Sequence, residues 1–393
     1  MNSWDAWDTL LARRSMRDEV HHQMRAGRTF EQACEIELAN LIPIMENIQQ
    51  VQKEDIVVSD YGDGDLRWNV FLEKALKKIC DLLYVSVIVT PDGKHRGTIW
   101  EKLPSVSRHY GDHPHADVTS PRKHGIEGIL VQRSLFSKAE EALVGFGFPV
   151  LARVCREARL RTWTPEYRGI ELLQTDYNFP TLFLASILLN RWYPTETLLM
   201  SGRDCYQWYM LMSKMYRRGV YWQSSVIART MDDPNYARYT YNFGPDPALV
   251  DLSGSGESFA RFAAFSGIAK SILAYRPTGG NSAIRAMVTS PACMRLEQAN
   301  VAPAPKCVGV TANLEPIFLN RDSVDYSKEP NTQAQIRAFG TCLAAMDHYD
   351  LSREREATDG ECQGAMTWLM HRYFDFAPDV EQLRLLAMRE DRS

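Results

Sequence analysis

The sequence predicts an α/β protein of two doubly wound, Rossmann-like parallel-sheet domains, the first with a small helical insertion, followed by a helical C-terminal tail. Short β-branched runs alternate with amphipathic helical stretches in the first 150 residues, the pattern of βαβ units. A second such series begins after residue 180, and the chain of 393 residues is long enough for two domains. The expected boundaries are 1–150, 151–330 and 331–393.

Residues 3–13 are too short and acidic for an ordinary strand, but they deliver Asp5 and Asp8 the way a strand end presents acids to a crevice. Residues 15–52 read as helical throughout, with Phe30, Ala33, Ile36, Leu38, Leu41, Ile42 and Met45 at three-and-four spacing. Ile56-Val-Val-Ser is a strand, followed by the acidic turn Tyr61-Gly-Asp-Gly-Asp and an amphipathic helix through Leu83. Residues 84–90 read as a second, buried strand, and Ile129-Leu-Val as a further short one. An Arg-, Thr- and Pro-rich stretch, roughly 152–180, reads as a linker. Beyond it, strands are expected at 197–201, 221–225, 248–252, 271–275 and 284–289, and two helical patterns follow from Gln333.

Composition narrows the function classes. Lys plus Arg total 45 against 49 Asp plus Glu, with no basic block, so nucleic acid is not expected as the main ligand. The apolar run 181–189 is too short to span a bilayer, and the first residues do not resemble a signal peptide. A cytoplasmic protein without membrane partners is expected, and a homo-oligomer stays open. The eight cysteines have no zinc-site spacing and read as reduced thiols, mostly in the core.

Four segments carry the chemistry: Trp4-Asp-Ala-Trp-Asp-Thr-Leu-Leu, Val57-Val-Ser-Asp, Lys94-His-Arg-Gly and Tyr110-Gly-Asp-His-Pro-His-Ala-Asp. In order and spacing they resemble the four motifs of the haloacid dehalogenase superfamily. The nearest pattern is the subgroup whose first motif reads F-D-V-F-D-T-L-L-x-R, met in bacterial multidomain proteins associated with surface-polysaccharide genes. The resemblance implies Asp5 as nucleophile, Thr9 as the motif-one threonine, Ser59 as a hydrogen-bond donor and Lys94 as the motif-three lysine. It also implies that Asp112 and Asp117, with Asp5, hold Mg²⁺, and that the helical insertion over about 14–54 is a small cap. Phosphoryl transfer needs mainly positioning and charge neutralisation, which a carboxylate nucleophile, a hard cation and a lysine supply. Phosphatases of this family place an acid two residues after the nucleophile. That position is Trp7, and the next residue, Asp8, is either a displaced acid or the N-cap of a following helix. His109, His113, His115 and His124 read as solvated loop histidines, and Asp60, Asp63 and Asp65 as an acidic turn rather than a calcium loop.

In the second domain, Leu198-Leu-Met-Ser-Gly-Arg-Asp-Cys-Tyr is similar to the F-x-x-R-D-G-Y segment of the same multidomain proteins, and it supplies Arg203 and Asp204. Leu249-Val-Asp-Leu-Ser-Gly-Ser-Gly-Glu-Ser is similar to the ribose-phosphate loop of type I phosphoribosyltransferases, D-x-x-x-T-G-x-T. Asp251, Ser255, Gly256 and Ser258 match, with Ser253 beside them, although one acid of the usual pair is replaced by Val250. A Gly/Ser loop opening a helix turns backbone N–H groups toward an anion; a helix start without ligand is the alternative. The expected function is a Mg²⁺-dependent phosphohydrolase acting on a small phosphorylated metabolite through an aspartyl phosphate. The alternatives are a degenerate domain within a binding or scaffold protein, and phosphoribosyl transfer by the second domain.

Overall fold

The computed structural model describes residues 1–373 except 63–64, 92, 104, 203, 291–295, 297–298, 301–305 and 319–328. The chain divides into two compact units, Met1–Phe136 with Leu160–Thr164, and Ser137–Arg159 with Pro165–Ser393. Each is built on a parallel sheet flanked by helices.

In the first unit the strands are β1 (Asn2–Trp4), β4 (Ile56–Ser59), β5 (Ser86–Val89), β6 (Arg108–Gly111) and β7 (Glu127–Leu130), in the order β5-β4-β1-β6-β7. β1 pairs in parallel with both β4 and β6, Trp4 lying opposite Val57 on one side and Tyr110 on the other. The order reverses at β1, so the β1/β6 edge is a topological switch point, where open α/β sheets leave a crevice at their carboxyl ends. Three residues suffice for β1 because Trp4 is buried, stacks on Tyr110 at 4.1 Å and donates its indole N–H to Asp55 at 3.0 Å. β5 is an edge strand and half-exposed, not the buried strand expected from its Val and Ile content.

The insertion between β1 and β4 corrects two expectations. Residues 15–52 are not uniformly helical: β2 (Leu11–Arg13) pairs antiparallel with β3 (Leu41–Pro43), and the helices Glu19–Arg25 and Phe30–Asn40 lie between them. Asp18 caps the first helix, and a Thr29/Gln32 capping box starts the second. Pro43 explains why the helical period at Leu41 and Ile42 is overridden, since a residue before proline is pushed out of the α region. Nor is Asp8 a helix cap. No helix follows it; it sits at φ 55° in a tight turn where its amide donates to the Leu11 carbonyl at 2.7 Å.

In the second unit β8 (Thr197–Ser201), β9 (Val220–Trp222), β10 (Pro247–Ser253), β11 (Lys270–Arg276) and β12 (Arg285–Thr289) form the order β12-β11-β10-β8-β9, all parallel. Its switch point lies between β8 and β10. A hairpin of β13 (Cys307–Val310) and β14 (Pro316–Phe318), bulged between Cys307 and Gly309, was not expected, because its runs are short and carry no alternation.

The expected linker is instead largely buried helix: Pro149–Arg161, Arg168–Leu172, the π-turn Leu173–Asn178 and Phe179–Trp192. Its polar composition misleads because the polar groups pair internally. Arg159 donates to both Glu140 oxygens at 2.7 and 2.8 Å, and the Asn178 amide bonds Gln174, Gln207 and Asn300. In the tail, helices Pro330–Ala345 and Asp359–Tyr373 pack on this layer. Glu354 caps helix Pro149–Arg161 by accepting from the amides of Val150 and Leu151 at 2.5 and 2.8 Å. The apolar run 181–189 is core helix, and no described helix is long and apolar enough to cross a membrane. The described cysteines are buried and form no disulfide.

Candidate active site at the first switch point

Four connections bring the site together at the carboxyl ends of β1, β4, β5 and β6. Asp5 follows β1 directly and stays in strand register because its amide donates to the Tyr110 carbonyl at 2.7 Å. Lys94 lies on the short helix Gly93–Arg96 after β5, its main-chain carbonyl accepting from Ser120 Oγ at 2.6 Å. After β6 the chain passes Asp112 and enters the π-turn Pro114–Thr119, which carries Asp117 and is capped by the His113 ring. Lys94 Nζ lies 2.6 Å from Asp5 Oδ1, 2.8 Å from Asp117 Oδ1 and 3.9 Å from Asp60 Oδ1. One carboxylate oxygen each from Asp5, Asp112 and Asp117 falls within 4.8 Å of the other two.

Ser59 is buried at the end of β4, its Oγ accepting from the Tyr61 amide at 3.2 Å. The Thr9 carbonyl accepts from Asn47 Nδ2 at 2.6 Å, while the Thr9 hydroxyl is buried without a hydrogen-bond partner among the described residues. Asp8 is half-buried and near enough to Asp112 to repel its charge. Trp7 is buried beneath the Arg13 guanidinium, 4.2 Å from its ring, and packs on Tyr61 and Phe71. Of the acidic turn, Asp65 caps the helix Leu66–Cys80, and Asp63 lies outside the described residues.

The histidines separate into two groups. His113 and His124 are exposed and His115 is half-buried, but His109 is fully buried on β6 rather than solvated in a loop. Its Nε2 is 3.0 Å from Asp117 Oδ1 and its Nδ1 2.8 Å from Ser3 Oγ. The sequence carries no signal for it, because Arg108-His-Tyr-Gly lacks the apolar run of a buried parallel strand.

Burial drives the electrostatics. It raises Asp5 well above the ordinary carboxylate range, Lys94 pulling it down and Asp117 pushing it up. It lifts Asp112 to about 6, with the charges of Asp8 and Asp117 adding to the effect. Burial works in the same direction on Asp117, but the His109 hydrogen bond and the Lys94 charge outweigh it and hold Asp117 below the usual range. Burial alone would lower Lys94; Asp5, Asp117 and Asp60 keep it raised and charged. Burial lowers His109. One lysine thus faces an excess of carboxylates, and hard oxygen donors this close together fit a small divalent cation.

The second unit's residues are tied to one another. Arg203 lies outside the described residues, and Asp204 sits in the turn after β8. Asp251 is buried in β10, pairs with Arg229 at 3.3 Å and accepts from the Leu252 amide at 2.9 Å. Arg229, which the sequence did not single out, also donates to Ser201, Ser224 and Ser258 at 2.8, 2.9 and 3.2 Å. Ser253 ends β10, Ser255 is exposed, and Gly256 at φ 84° opens helix Glu257–Ser266.

Fold and site together define an α/β protein with two parallel sheets, the first carrying a buried lysine–carboxylate cluster at its switch point. Compared with known proteins, the sequence matches no protein-family model and no curated protein.

Proposed function

We propose that the first unit is a Mg²⁺-dependent phosphohydrolase of the haloacid dehalogenase type, acting on a small phosphorylated metabolite. The observation that carries this reading is the approach of Asp5, Asp112 and Asp117 to within 4.8 Å at the β1/β6 switch point, with Lys94 bridging two of them. Asp5, Asp112 and Asp117 would hold the cation. Bound Mg²⁺ supplies a Lewis acid for the phosphoryl oxygens and offsets the carboxylate charge.

In this reading an Asp5 oxygen attacks phosphorus in line, the P–O bond to the leaving group breaks, and an acyl phosphate forms on Asp5. Lys94 holds the attacking carboxylate and neutralises the developing charge. Water then attacks phosphorus, the Asp5–phosphorus bond breaks, and phosphate and the free carboxylate are released. The buried Trp7 has no acidic proton, so the leaving oxygen takes its proton from Asp8 or from solvent. In the second unit, Asp251 is already engaged by Arg229, so a sugar-phosphate reading of its loop rests on Ser255 and the helix start alone.

The test is a screen of phosphorylated metabolites with the purified protein and Mg²⁺, run beside Asp5→Asn. Turnover in the wild type that falls at least about 10³-fold in the variant is expected. Equal turnover in both would reject Asp5 as nucleophile, and tight substrate binding without turnover would favour the degenerate-domain reading.

A further inference from the structure

We propose that His109 is a positioning residue for the cation site, holding the Asp117 carboxylate through a buried Ser3–His109–Asp117 relay; this rests on the cation reading of that cluster. Ser3 on β1 and His109 on β6 flank the switch point, and the relay runs beneath the site at 2.8 and 3.0 Å. All three residues are 0% exposed. An ionised carboxylate oxygen only accepts, so Nε2 carries the proton toward Asp117. In the neutral ring Nδ1 then accepts from the Ser3 hydroxyl. The Trp100 ring packs against the imidazole at 4.7 Å and limits its rotation.

The burial of these polar groups has a cost that their mutual bonds must offset, and an apolar pair would fill the strand interior without it. What the polar pair adds is direction. Asp117 Oδ1 accepts from Lys94 and His109, and Oδ2 accepts from the His113 amide at 2.9 Å. Lys94 is a long, flexible donor shared with Asp5, so it cannot fix the Asp117 carboxyl plane by itself. The imidazole, pinned between two strands, can. Without it, Oδ2 would still be held by the His113 amide, but Oδ1 would follow Lys94 and the carboxyl would turn out of the arrangement in which it faces Asp112. This is the behaviour of groups behind a metal ligand, whose loss typically weakens cation binding by about 10- to 100-fold.

Titration of the cation-free protein with Mn²⁺, followed by calorimetry and by the Mn²⁺ magnetic-resonance signal, tests this without relying on turnover. The variants are His109→Leu, His109→Gln, Ser3→Ala and Asp112→Asn, with the melting temperature of each recorded without cation. His109→Leu should bind Mn²⁺ at least about tenfold more weakly, while His109→Gln, whose amide still donates to Asp117, should stay within about threefold of wild type. Equal affinity in wild type and a folded His109→Leu overturns the inference while leaving the cation reading intact. Failure of the wild type to bind Mn²⁺, or undiminished binding by Asp112→Asn, overturns the cation reading and the inference with it. Should His109→Leu not fold, Ser3→Ala decides: the ring loses its anchor at Nδ1, so affinity must fall, and unchanged affinity overturns the relay.

Discussion

Gly111 is a residue whose lack of a side chain positions another. A Cβ there would fall inside the Asp117 carboxyl group, which is itself buried and fixed by its partners. Gly111→Ala should therefore displace Asp117, at a cost of about 1–3 kcal/mol in stability and at least about a tenfold loss of divalent-cation affinity. Denaturant unfolding beside Mn²⁺ titration would check both, and unchanged affinity would mean that Asp117 holds no cation. Trp7 sets a second prediction at this scale. With an indole where an acid would protonate the leaving group, aryl and acyl phosphates should be hydrolysed faster than alkyl phosphates by about 10²-fold or more. Comparable rates, falling together in Asp8→Asn, would instead make Asp8 the proton donor.

At the scale of elements, the cap at the start of helix Pro149–Arg161 is the part most exposed to pH. Burial pushes Glu354 up to about 7 from an ordinary 4.5, against the pull of the two backbone amides that it accepts from. The folded protein therefore holds a proton here that the unfolded chain has released between these values. Stability falls as pH rises through that window, and the loss is complete above about 7. Burial, with the Glu140 charge, likewise lifts Asp176 to about 6 in the same layer. Glu354→Gln should flatten the decline by on the order of 2 kcal/mol between pH 5 and pH 8. Urea unfolding of both proteins at these pH values checks it; parallel profiles would remove Glu354 as the cause.

At the scale of the molecule, each unit has its own apolar core, one around Trp4, Trp68 and Phe71, the other around Trp222, Tyr236 and Phe262. Chains with more than one core commonly depart from two-state unfolding. Calorimetry should resolve two transitions. A ligand that prefers the native state raises stability by about 2.7 kcal/mol at one hundred times its dissociation constant, so Mg²⁺ should raise the transition of the first unit and leave the second in place. A shift of both together would show that the units unfold as one.

The sequence by itself determined the α/β class and the positions of β4, β8, β10, β11 and β12, whereas Asp5, Lys94, Asp112 and Asp117 stand out only through the resemblance of their segments to known motifs. The strands are legible because they are local: a strand such as Ile56-Val-Val-Ser, buried on both faces, must be apolar along its length. Only the tertiary structure decided that Leu41-Ile-Pro is a strand, since its partner Leu11–Arg13 is remote in sequence. The same holds for the polar stretch 152–180, which is buried because Arg159 and Asn178 find partners that no window of sequence contains. His109 and Arg229 were illegible for this reason as well. A buried polar side chain takes its meaning from the group that it faces, and strand order, a property of the whole sheet, set Ser3 beside His109 and Asp5 beside Lys94.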